Sequence, residues 1–541
     1  MPSSPTRPSG YGSTPLSPHR TSASAPSLFR RLLAPFRIRA SPPSHDRPHE
    51  RQPLIPSQHV HALRESWKGL KSLLKFIGPG YMVAIGYLDP GNWATDLAAG
   101  SQFNYSLLIV ILVSNFMAVL LQSLCIRLGV VTGMDLASAC RKRFSFPVTL
   151  FFYILCELAI MACDLAEVIG SAIALNILFS IPLPVGILIT ALDVLVILAA
   201  WRTEHMQWFE AAIIVLVAAV AGCFGYLVAL SRPDWGLVAA GFMPSWEIWT
   251  KPGSLYVAMG ILGATVMPHN LYLHSHLVRY RSSRDSDALG EIREVEASPE
   301  PDEHTDGDKV GLQPLCRAAI IRKTLHLTNI DSTVALTFAL AINASILIVS
   351  AASFYKNNEK DVADLQDAFH LITKFLGPVA GTAFGVALLI SGQSSTITGT
   401  MTGQIIMEGF LGSHFRVSPW ARRLITRLLA IVPAMVVTLW KGSAGINQLL
   451  IASQVVLSLQ LPFAVWPLVV FTNSKSMMRV QYSSDDGDVE TAVAEESFQN
   501  SPLMSVASIA IAVIITALNL GLIYQVFSGN AAGTSSGQAF A

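Results

Sequence analysis

Hydrophobic residues along this chain fall into long, nearly uninterrupted runs, and eleven of these runs approach or exceed the length of a membrane span. A helix of roughly 20 apolar residues crosses a bilayer, and within the hydrocarbon only helices and closed barrels satisfy their own backbone groups. The sequence therefore predicts eleven helical spans, near 74–101, 105–131, 148–179, 183–201, 206–230, 253–280, 325–353, 376–408, 420–440, 443–472 and 503–527.

The amino-acid composition strengthens this prediction and excludes several classes of protein. Of the 541 residues, 52% are hydrophobic and 13% are charged, about half of the ~25% charged residues in a typical soluble domain. The mean hydropathy of +0.48 excludes a soluble multidomain enzyme, a disordered protein and a small disulfide-bonded scaffold. The six cysteines form no C-x-x-C pair and mostly lie in apolar runs, where cysteine packs as a small hydrophobe.

Charge is distributed unevenly between the N-terminal tail and the loops. Residues 1–66 are rich in Ser, Pro and Arg, and we expect them to form a disordered cytosolic tail because they have little apolar surface to bury. The basic, amphipathic segment 27–39 is also typical of a mitochondrial transit peptide, but we favour the cytosolic tail. Lys and Arg recur in alternate loops, around 141–143, 279–284 and 416–423, which places the N-terminus in the cytosol.

Two of the predicted cytosolic loops are acidic. Residues 285–308 hold ten Asp or Glu, and residues 485–496 hold several more. Charge runs of this kind are usually solvated, so we expect mobile linkers within loops 282–318 and 473–502. A regulatory or sorting segment is the alternative. The odd number of spans leaves residues 528–541 as a short non-cytosolic tail.

The first span contains the polar sequence Gly86-Tyr-Leu-Asp-Pro-Gly-Asn92. Pro90 has no N–H, and its ring clashes with the carbonyl group four residues earlier, so the helix should break here. An Asp at mid-membrane depth is costly and by default marks a functional site. We therefore expect Asp89 and Asn92 to face a cavity, with a kinked helix and a paired, structural Asp89 as the alternative.

The sixth span contains the same kind of interruption, Gly263-Ala-Thr-Val-Met-Pro-His-Asn270. Pro268 cannot bond the carbonyl of Ala264, which leaves that oxygen free to bind a ligand. Met267 follows about one turn later, so its thioether can reach the same place. A methionine in an apolar helix is normally a packing residue, but beside a freed carbonyl and a second broken helix we interpret it as a ligand.

The two interruptions lie at corresponding points, because span 1 opens the first group of five spans and span 6 opens the second. Such a pair indicates a transporter built from inverted repeats, with its site near the bilayer midplane. We predict an all-α, LeuT-type core at 67–472, with repeats at about 74–230 and 253–472 and an eleventh helix at 503–527. Carboxylate and amide oxygens suit hard cations whereas a thioether is soft, so these ligands favour a divalent transition metal such as Mn²⁺ or Fe²⁺.

Three separated motifs resemble signatures of the Nramp (natural resistance-associated macrophage protein) family. They are Asp89-Pro-Gly-Asn92, Met267-Pro-His-Asn270 and the segment GQSSTITGT at 392–400. The resemblance covers residues 70–472 and implies a proton-coupled divalent metal transporter with the LeuT fold. The long N-terminal tail and the acidic loop between spans 6 and 7 are more similar to fungal members than to compact bacterial ones.

Span 3 carries three acids, Glu157, Asp164 and Glu167, whose spacings of seven and three place them on one face of a helix. Acids in a row within a membrane indicate a proton relay, and histidine titrates near physiological pH. The resemblance implies that the Nramp proton route corresponds here to Asp89, His269, Glu167, Asp164, Arg281 and Arg423. Structural ion pairs with those arginines are the alternative, and Glu157 matches no functional position.

Other polar residues within the spans have weaker interpretations. The resemblance implies that Gln454 of span 10 joins the metal when the site closes, with an interhelical hydrogen bond as the alternative. The Ser/Thr/Gly run at 391–403 indicates close helix packing. We expect His274 and His276 to be packing or interfacial residues.

The predicted function is proton-coupled symport of divalent transition metals into the cytosol by alternating access. Mn²⁺ or Fe²⁺ would be the substrate, without a resident cofactor. The expected partners are the lipid bilayer, metal ions and protons but no nucleic acid, and a monomer is the working expectation. A plasma, endosomal or vacuolar membrane is favoured over a mitochondrial one.

Three other functions compete with this prediction. The same fold could carry another cation or an organic solute, and Met267 argues against that. A channel or metal sensor would be excluded by saturable flux driven by a proton gradient. An intramembrane enzyme is not expected, because the chain has neither H-E-x-x-H nor G-x-S-x-G.

Overall fold

Long apolar helices make up most of the structure, which is a computed structural model describing residues 79–190, 206–279, 309–357, 365–412, 419–482 and 494–527. All of these residues belong to one unit of the chain, residues 66–541. The described residues contain seven helical segments that are long and apolar enough to cross a membrane by length and composition.

The helices, numbered in chain order, are α1 (Pro79–Gly86), α2 (Pro90–Phe103), α3 (Leu108–Thr132), α4 (Leu136–Arg143), α5 (Phe146–Phe179), α6 (183–190), α7 (Met206–Ser231), α8 (Trp235–Gly241), α9 (Glu247–Thr250), α10 (Ser254–Thr265), α11 (268–279), α12 (Lys309–Ser353), α13 (Leu365–Leu376), α14 (Pro378–Leu411), α15 (Pro419–Asn473) and α16 (Pro502–Phe527). A short 3₁₀ turn, Tyr355–Asn357, follows α12.

Each of the eleven predicted spans contains at least one described helix, and most boundaries agree within a few residues. The exception is α12, which begins at Lys309 although the span was predicted to start at 325. The predicted loop 282–318 is therefore wrong at its C-terminal end. Its last residues extend the helix, and hydropathy missed them because Lys and Arg interrupt the apolar pattern there.

Two predicted spans, 420–440 and 443–472, form the single element α15. It is interrupted at Gly442, whose φ of 65° and ψ of −151° are not helical. This left-handed backbone strongly favours glycine, which has no Cβ to clash. The two halves of α15 can therefore point in different directions while remaining continuous in sequence.

The predicted mobile linker at 485–496 is also wrong at its C-terminal end, because residues there form a strand. Strand β1 (Arg479–Tyr482) pairs antiparallel with β2 (Ala494–Ser497), with Arg479 opposite Ser497. Glu495 pairs with Arg479 at 2.6 Å, and Glu496 pairs with Arg322 of α12. The acidic composition suggested a solvated segment, but these acids have basic partners elsewhere in the fold.

Helix packing places both helix breaks inside the bundle. Helix α5 packs against α14 and α15, while α10 packs against α15 and α2. The indole of Trp93 in α2 packs on the rings of Phe224 and Phe384, with centroids 4.7 and 5.4 Å away. The segments between α1 and α2, and between α10 and α11, are therefore buried next to α5 and α15.

Candidate functional site

Asp89 lies in the break between α1 and α2 and is fully buried. It is the N-cap of α2, where its Oδ1 accepts a hydrogen bond from the Asn92 N–H at 3.1 Å and its Oδ2 accepts one from Gly91 at 3.3 Å. A carboxylate is favourable at this position because it accepts from the free N–H groups of the first turn. The break predicted around Pro90 is thus confirmed.

The second predicted break is confirmed as well, since α10 ends at Thr265 and the next two residues are not helical. The Ala264 carbonyl, which Pro268 cannot bond, accepts a hydrogen bond from Nδ2 of Asn92 at 2.9 Å. This contact joins the two breaks directly. The Asp89 carboxylate also accepts a hydrogen bond from the same Asn92 amide, so three of the predicted metal ligands form one connected group.

Met267 is fully buried in the second break. Its sulfur accepts a long hydrogen bond from Nδ2 of Asn270 at 3.6 Å. Its side chain packs with three buried residues of α5 and α15, namely Ala159, Cys163 and Leu457. The thioether therefore has both a polar contact and an apolar packing surface. This geometry is compatible with Met267 as a metal ligand and with Met267 as a packing residue.

Gln454 of α15 lies against the first break because two glycines leave room for it. A Cβ on Gly91 would lie 1.9 Å from Nε2 of Gln454 and 2.8 Å from Oδ2 of Asp89. A Cβ on Gly263 would lie 2.0 Å from the backbone oxygen of Gln454. Among the described residues, the side-chain oxygen of Gln454 has no hydrogen-bond partner although it is buried. This amide is thus held beside Asp89.

Asn343 of α12 belongs to the same group of polar side chains, and the sequence analysis did not identify it. Its Nδ2 donates to the Tyr87 carbonyl at 3.0 Å and to Oδ1 of Asn92 at 3.4 Å. These contacts orient the Asn92 amide, so that its NH₂ faces Asp89 and Ala264. A metal bound by the Asn92 oxygen would have to compete with Asn343. The available signal was an asparagine within the apolar segment 332–353.

The acids on α5 meet arginines on the first half of α15. Nη1 of Arg423 contacts both oxygens of Asp164, at 2.6 and 2.8 Å, and both groups are buried. Arg422 binds Glu157 at 2.8 Å to each oxygen. Arg422 and Arg423 were predicted to belong to a basic loop, which is wrong: both are buried within α15. They therefore do not count toward the loop charges that predict the orientation.

Glu167 contacts two arginines, and the second of them was missed from the sequence. Its Oε2 lies 3.4 Å from Nη1 of Arg427 and 3.6 Å from Nη2 of Arg423. Arg427 also donates to the Thr190 carbonyl at 3.1 Å. One guanidinium group therefore connects α5, the helix at 183–190 and α15. Buried charges require such pairing, because an isolated ion is very costly away from water.

The Ser/Thr/Gly run of α14 provides the space that these ion pairs occupy. A Cβ on Gly399 would lie 3.2 Å from Oε1 of Glu167 and 3.7 Å from Oδ1 of Asp164. A Cβ on Gly403 would lie 1.9 Å from Nη1 of Arg422. The close packing predicted for this run is therefore the contact of its glycines with the charged side chains of α5 and α15.

The histidines of α11 have different surroundings. His269 is buried next to the second break, and its Nδ1 has no hydrogen-bond partner within the described part of the chain. Nδ1 of His274 lies 2.8 Å from Oε1 of Gln122, whose Nε2 donates to the Tyr87 hydroxyl at 3.0 Å. The position of His274 fits the predicted packing role. Arg281 lies outside the described residues.

A comparison with known families identifies the protein family. The profile "Nramp: Natural resistance-associated macrophage protein-like" matches residues 80–486. The chain belongs to the Nramp family. It is therefore a multi-pass integral membrane protein of a transporter family, as the sequence predicted, with the LeuT-type fold and its two broken helices.

Close relatives support the assignment to Nramp along most of the chain. A divalent metal cation transporter, MntH, of Nostoc sp. is 50% identical over 436 residues, which are 80% of this chain and 90% of the relative. The MntH of Listeria innocua is 47% identical over 464 residues, covering 86% of this chain and 92% of the relative. These relatives are bacterial, so they do not support the predicted likeness to fungal members.

A solved Nramp structure has the same architecture. The manganese transporter of Eremococcus coleocola, in complex with an aromatic bis-isothiourea compound, is 36% identical, with a TM-score of 0.68 and coverage of 87% of this chain and 90% of that one. Both the relatives and this structure carry the names of transporters rather than enzymes.

Proposed function

We propose that this Nramp protein is a symporter that moves divalent transition metal ions, Mn²⁺ and Fe²⁺ among them, into the cytosol together with protons. The observation that carries the proposal is the meeting of a carboxylate, an amide and a freed carbonyl at two helix breaks, next to a thioether. The relatives named as divalent metal and manganese transporters support the choice of substrate.

The proposed metal ligands are Asp89, Asn92, Ala264, Met267 and Gln454. A single carboxylate with neutral oxygen ligands and one sulfur would bind a divalent metal reversibly, as a transporter requires. Sulfur disfavours Ca²⁺ and Mg²⁺, which prefer oxygen ligands. Because the carboxylate must lose its proton before it binds metal, metal and proton compete at Asp89.

The proposed proton route leads from Asp89 through His269 to Glu167 and Asp164, and then toward Arg281 and Arg423. The burial of Asp164 and Glu167 on one helix supports this proposal, because carboxylates in a row give a proton successive acceptors within the membrane. A cytosolic N-terminus, a plasma, endosomal or vacuolar membrane and a monomeric state belong to the same proposal.

Uptake by proteoliposomes tests both parts of the proposal. We expect Mn²⁺ uptake driven by an inward proton gradient, saturable, independent of Na⁺, and inhibited by Fe²⁺ more than by Ca²⁺ or Mg²⁺. Asp89→Ala should abolish uptake and Mn²⁺ binding. The control is Asp234→Ala, since Asp234 likewise caps a helix but lies in an exposed loop. Wild-type Mn²⁺ affinity in Asp89→Ala, or a Na⁺ requirement at fixed pH, would contradict the proposal.

A further inference from the structure

A cavity of about 450 Å³ lies between the C-terminal end of α3, helix α4 and the segment that leads into strand β1. It is far along the chain from both helix breaks, and none of the proposed metal or proton residues lines it. We propose that this cavity binds the phosphate group of an anionic ligand, with the headgroup of a membrane lipid as the first candidate.

Three cationic side chains line this cavity: Lys142, Arg143 and Arg479. Lys142 and Arg143 are exposed in the last turn of α4, and neither has an ion-pair partner among the described residues. Arg479 is paired with Glu495 at 2.6 Å. Within the described part of the chain, the cavity therefore keeps two unpaired positive charges on one short helix, which suit the binding of an anion.

The remaining walls of the cavity are partly apolar. Val131, Met134 and Met477 line it together with the hydroxyl-bearing Thr132 and Ser476. A site lined by both cations and apolar side chains suits a phosphorylated headgroup attached to the start of an acyl chain. The choice of a lipid as ligand rests on the proposed function, in which the N-terminus is cytosolic. In that orientation the cavity faces the inner leaflet, where anionic lipids attract basic residues.

Helix α4 also connects the cavity to the second helix break. Its N-cap, Asp135, accepts from Ser138 N–H at 2.8 Å and from Arg279 at 3.1 Å, and lies 3.5 Å from Nδ1 of His276. Arg279 and His276 belong to α11, which begins at the break. The Ser275 hydroxyl of the same helix accepts from the Leu136 N–H at 3.0 Å. A ligand that fixes α4 would thus also restrain α11.

The electrostatics of Asp135 strengthen this connection. Burial alone would raise the pKa of its carboxyl, but hydrogen bonds from His276 and Ser138 outweigh burial and leave the pKa below its usual range. The carboxylate is therefore charged at neutral pH and holds α4 against α11 through its contacts with Arg279 and His276.

Binding to the purified full-length protein tests the proposal without any transport measurement. The probe is dioctanoyl phosphatidylinositol phosphate, titrated in detergent and followed by native mass spectrometry, with dioctanoyl phosphatidylcholine as the neutral comparison. The double variant Lys142→Gln/Arg143→Gln should bind the anionic lipid roughly 25-fold more weakly, because each basic residue near a lipid surface contributes a factor of about five.

The matched control removes two charges from the same side of the protein without touching the cavity. Arg141 donates to the Glu408 carbonyl and Arg322 pairs with Glu496, so Arg141→Gln/Arg322→Gln should bind the lipid like the wild type. If inorganic phosphate competes with the lipid, free phosphate is identified as the ligand. If inorganic phosphate does not compete, the lipid headgroup is identified as the ligand. Equal lipid binding by the wild type and both double variants, or equal losses in both variants, would overturn the proposal whether or not the protein transports metal.

Discussion

Replacing Gly91 with alanine should weaken metal binding while leaving the fold in place. The added Cβ would lie 1.9 Å from Nε2 of Gln454, whereas ordinary contacts begin at 3.4 Å. The Gln454 amide must therefore retreat by 3.4 − 1.9 = 1.5 Å or more. The same Cβ would meet Oδ2 of Asp89 at 2.8 Å, so two proposed metal ligands are displaced by one methyl group.

The size of the effect follows from the cost of overpacking. Extra carbon atoms in a filled site cost about 1–3 kcal/mol, and a difference of that size changes an affinity by about 5- to 150-fold. Because α2 already has Pro90 at its first position and Asp89 as its cap, alanine is compatible with the helix itself. The cost is therefore shared between folding stability and Mn²⁺ affinity, and the loss of affinity should not exceed this range.

Isothermal titration calorimetry with Mn²⁺ measures this effect, and a double-mutant cycle identifies its cause. In a Gln454→Ala background the added methyl group has no Gln454 amide to displace. Gly91→Ala should therefore reduce Mn²⁺ affinity clearly less in this background than in the wild type. The control is Gly225→Ala on α7, where no atom lies within 4 Å of the added Cβ. The reasoning is refuted if Gly91→Ala keeps wild-type affinity, or if its cost is the same with and without the Gln454 side chain.

Three further variants test separate parts of the molecule. Met267→Ala should keep Mn²⁺ uptake but allow Ca²⁺ to compete at high concentration, because only oxygen ligands would remain; unchanged competition would make Met267 a packing residue. Glu167→Gln should reduce proton influx, followed with a pH dye during Mn²⁺ uptake, more than it reduces Mn²⁺ affinity; unaltered proton influx would contradict its place in the route. Asp135→Ala should lower stability by about 1 kcal/mol through loss of the α4 cap, with a further loss from the contact with Arg279. The lowered folded pKa of Asp135 means that its contribution is present above the unfolded value of ~3.9 and disappears only as the pH falls through the folded value. The variant should therefore remain less stable than wild type from pH 8 down to about pH 5, and a difference in melting temperature that disappears within that window would contradict this assignment.

The sequence by itself determined the features that depend on neighbouring residues. Apolar runs predicted the spans because a bilayer requires long stretches of low polarity. The breaks before Pro90 and Pro268 could be located because each proline removes a specific helical hydrogen bond beside glycine and polar residues. The local chemistry of these two segments also indicated carboxylate, carbonyl and thioether ligands before any packing was known.

The distant side chains that complete these groups are brought in by the packing of the helices. Asn343 contacts Asn92 across 251 positions of sequence, and Arg422 meets Glu157 across 265. Arg427 lies 260 positions from Glu167. Nothing in the local pattern of an apolar helix distinguishes a polar residue that pairs across the bundle from one that faces its own backbone.

The glycines show the same limit most clearly. Gly91, Gly399 and Gly403 are simply small residues in the sequence, and their importance depends on the side chain that fills the space above each of them. That side chain is brought there by the packing of α2 and α14 against α5 and α15. The sequence thus determined where the helices break, and the packing decided which side chains meet at the breaks, because contacts between helices depend on three-dimensional placement rather than on spacing along one chain.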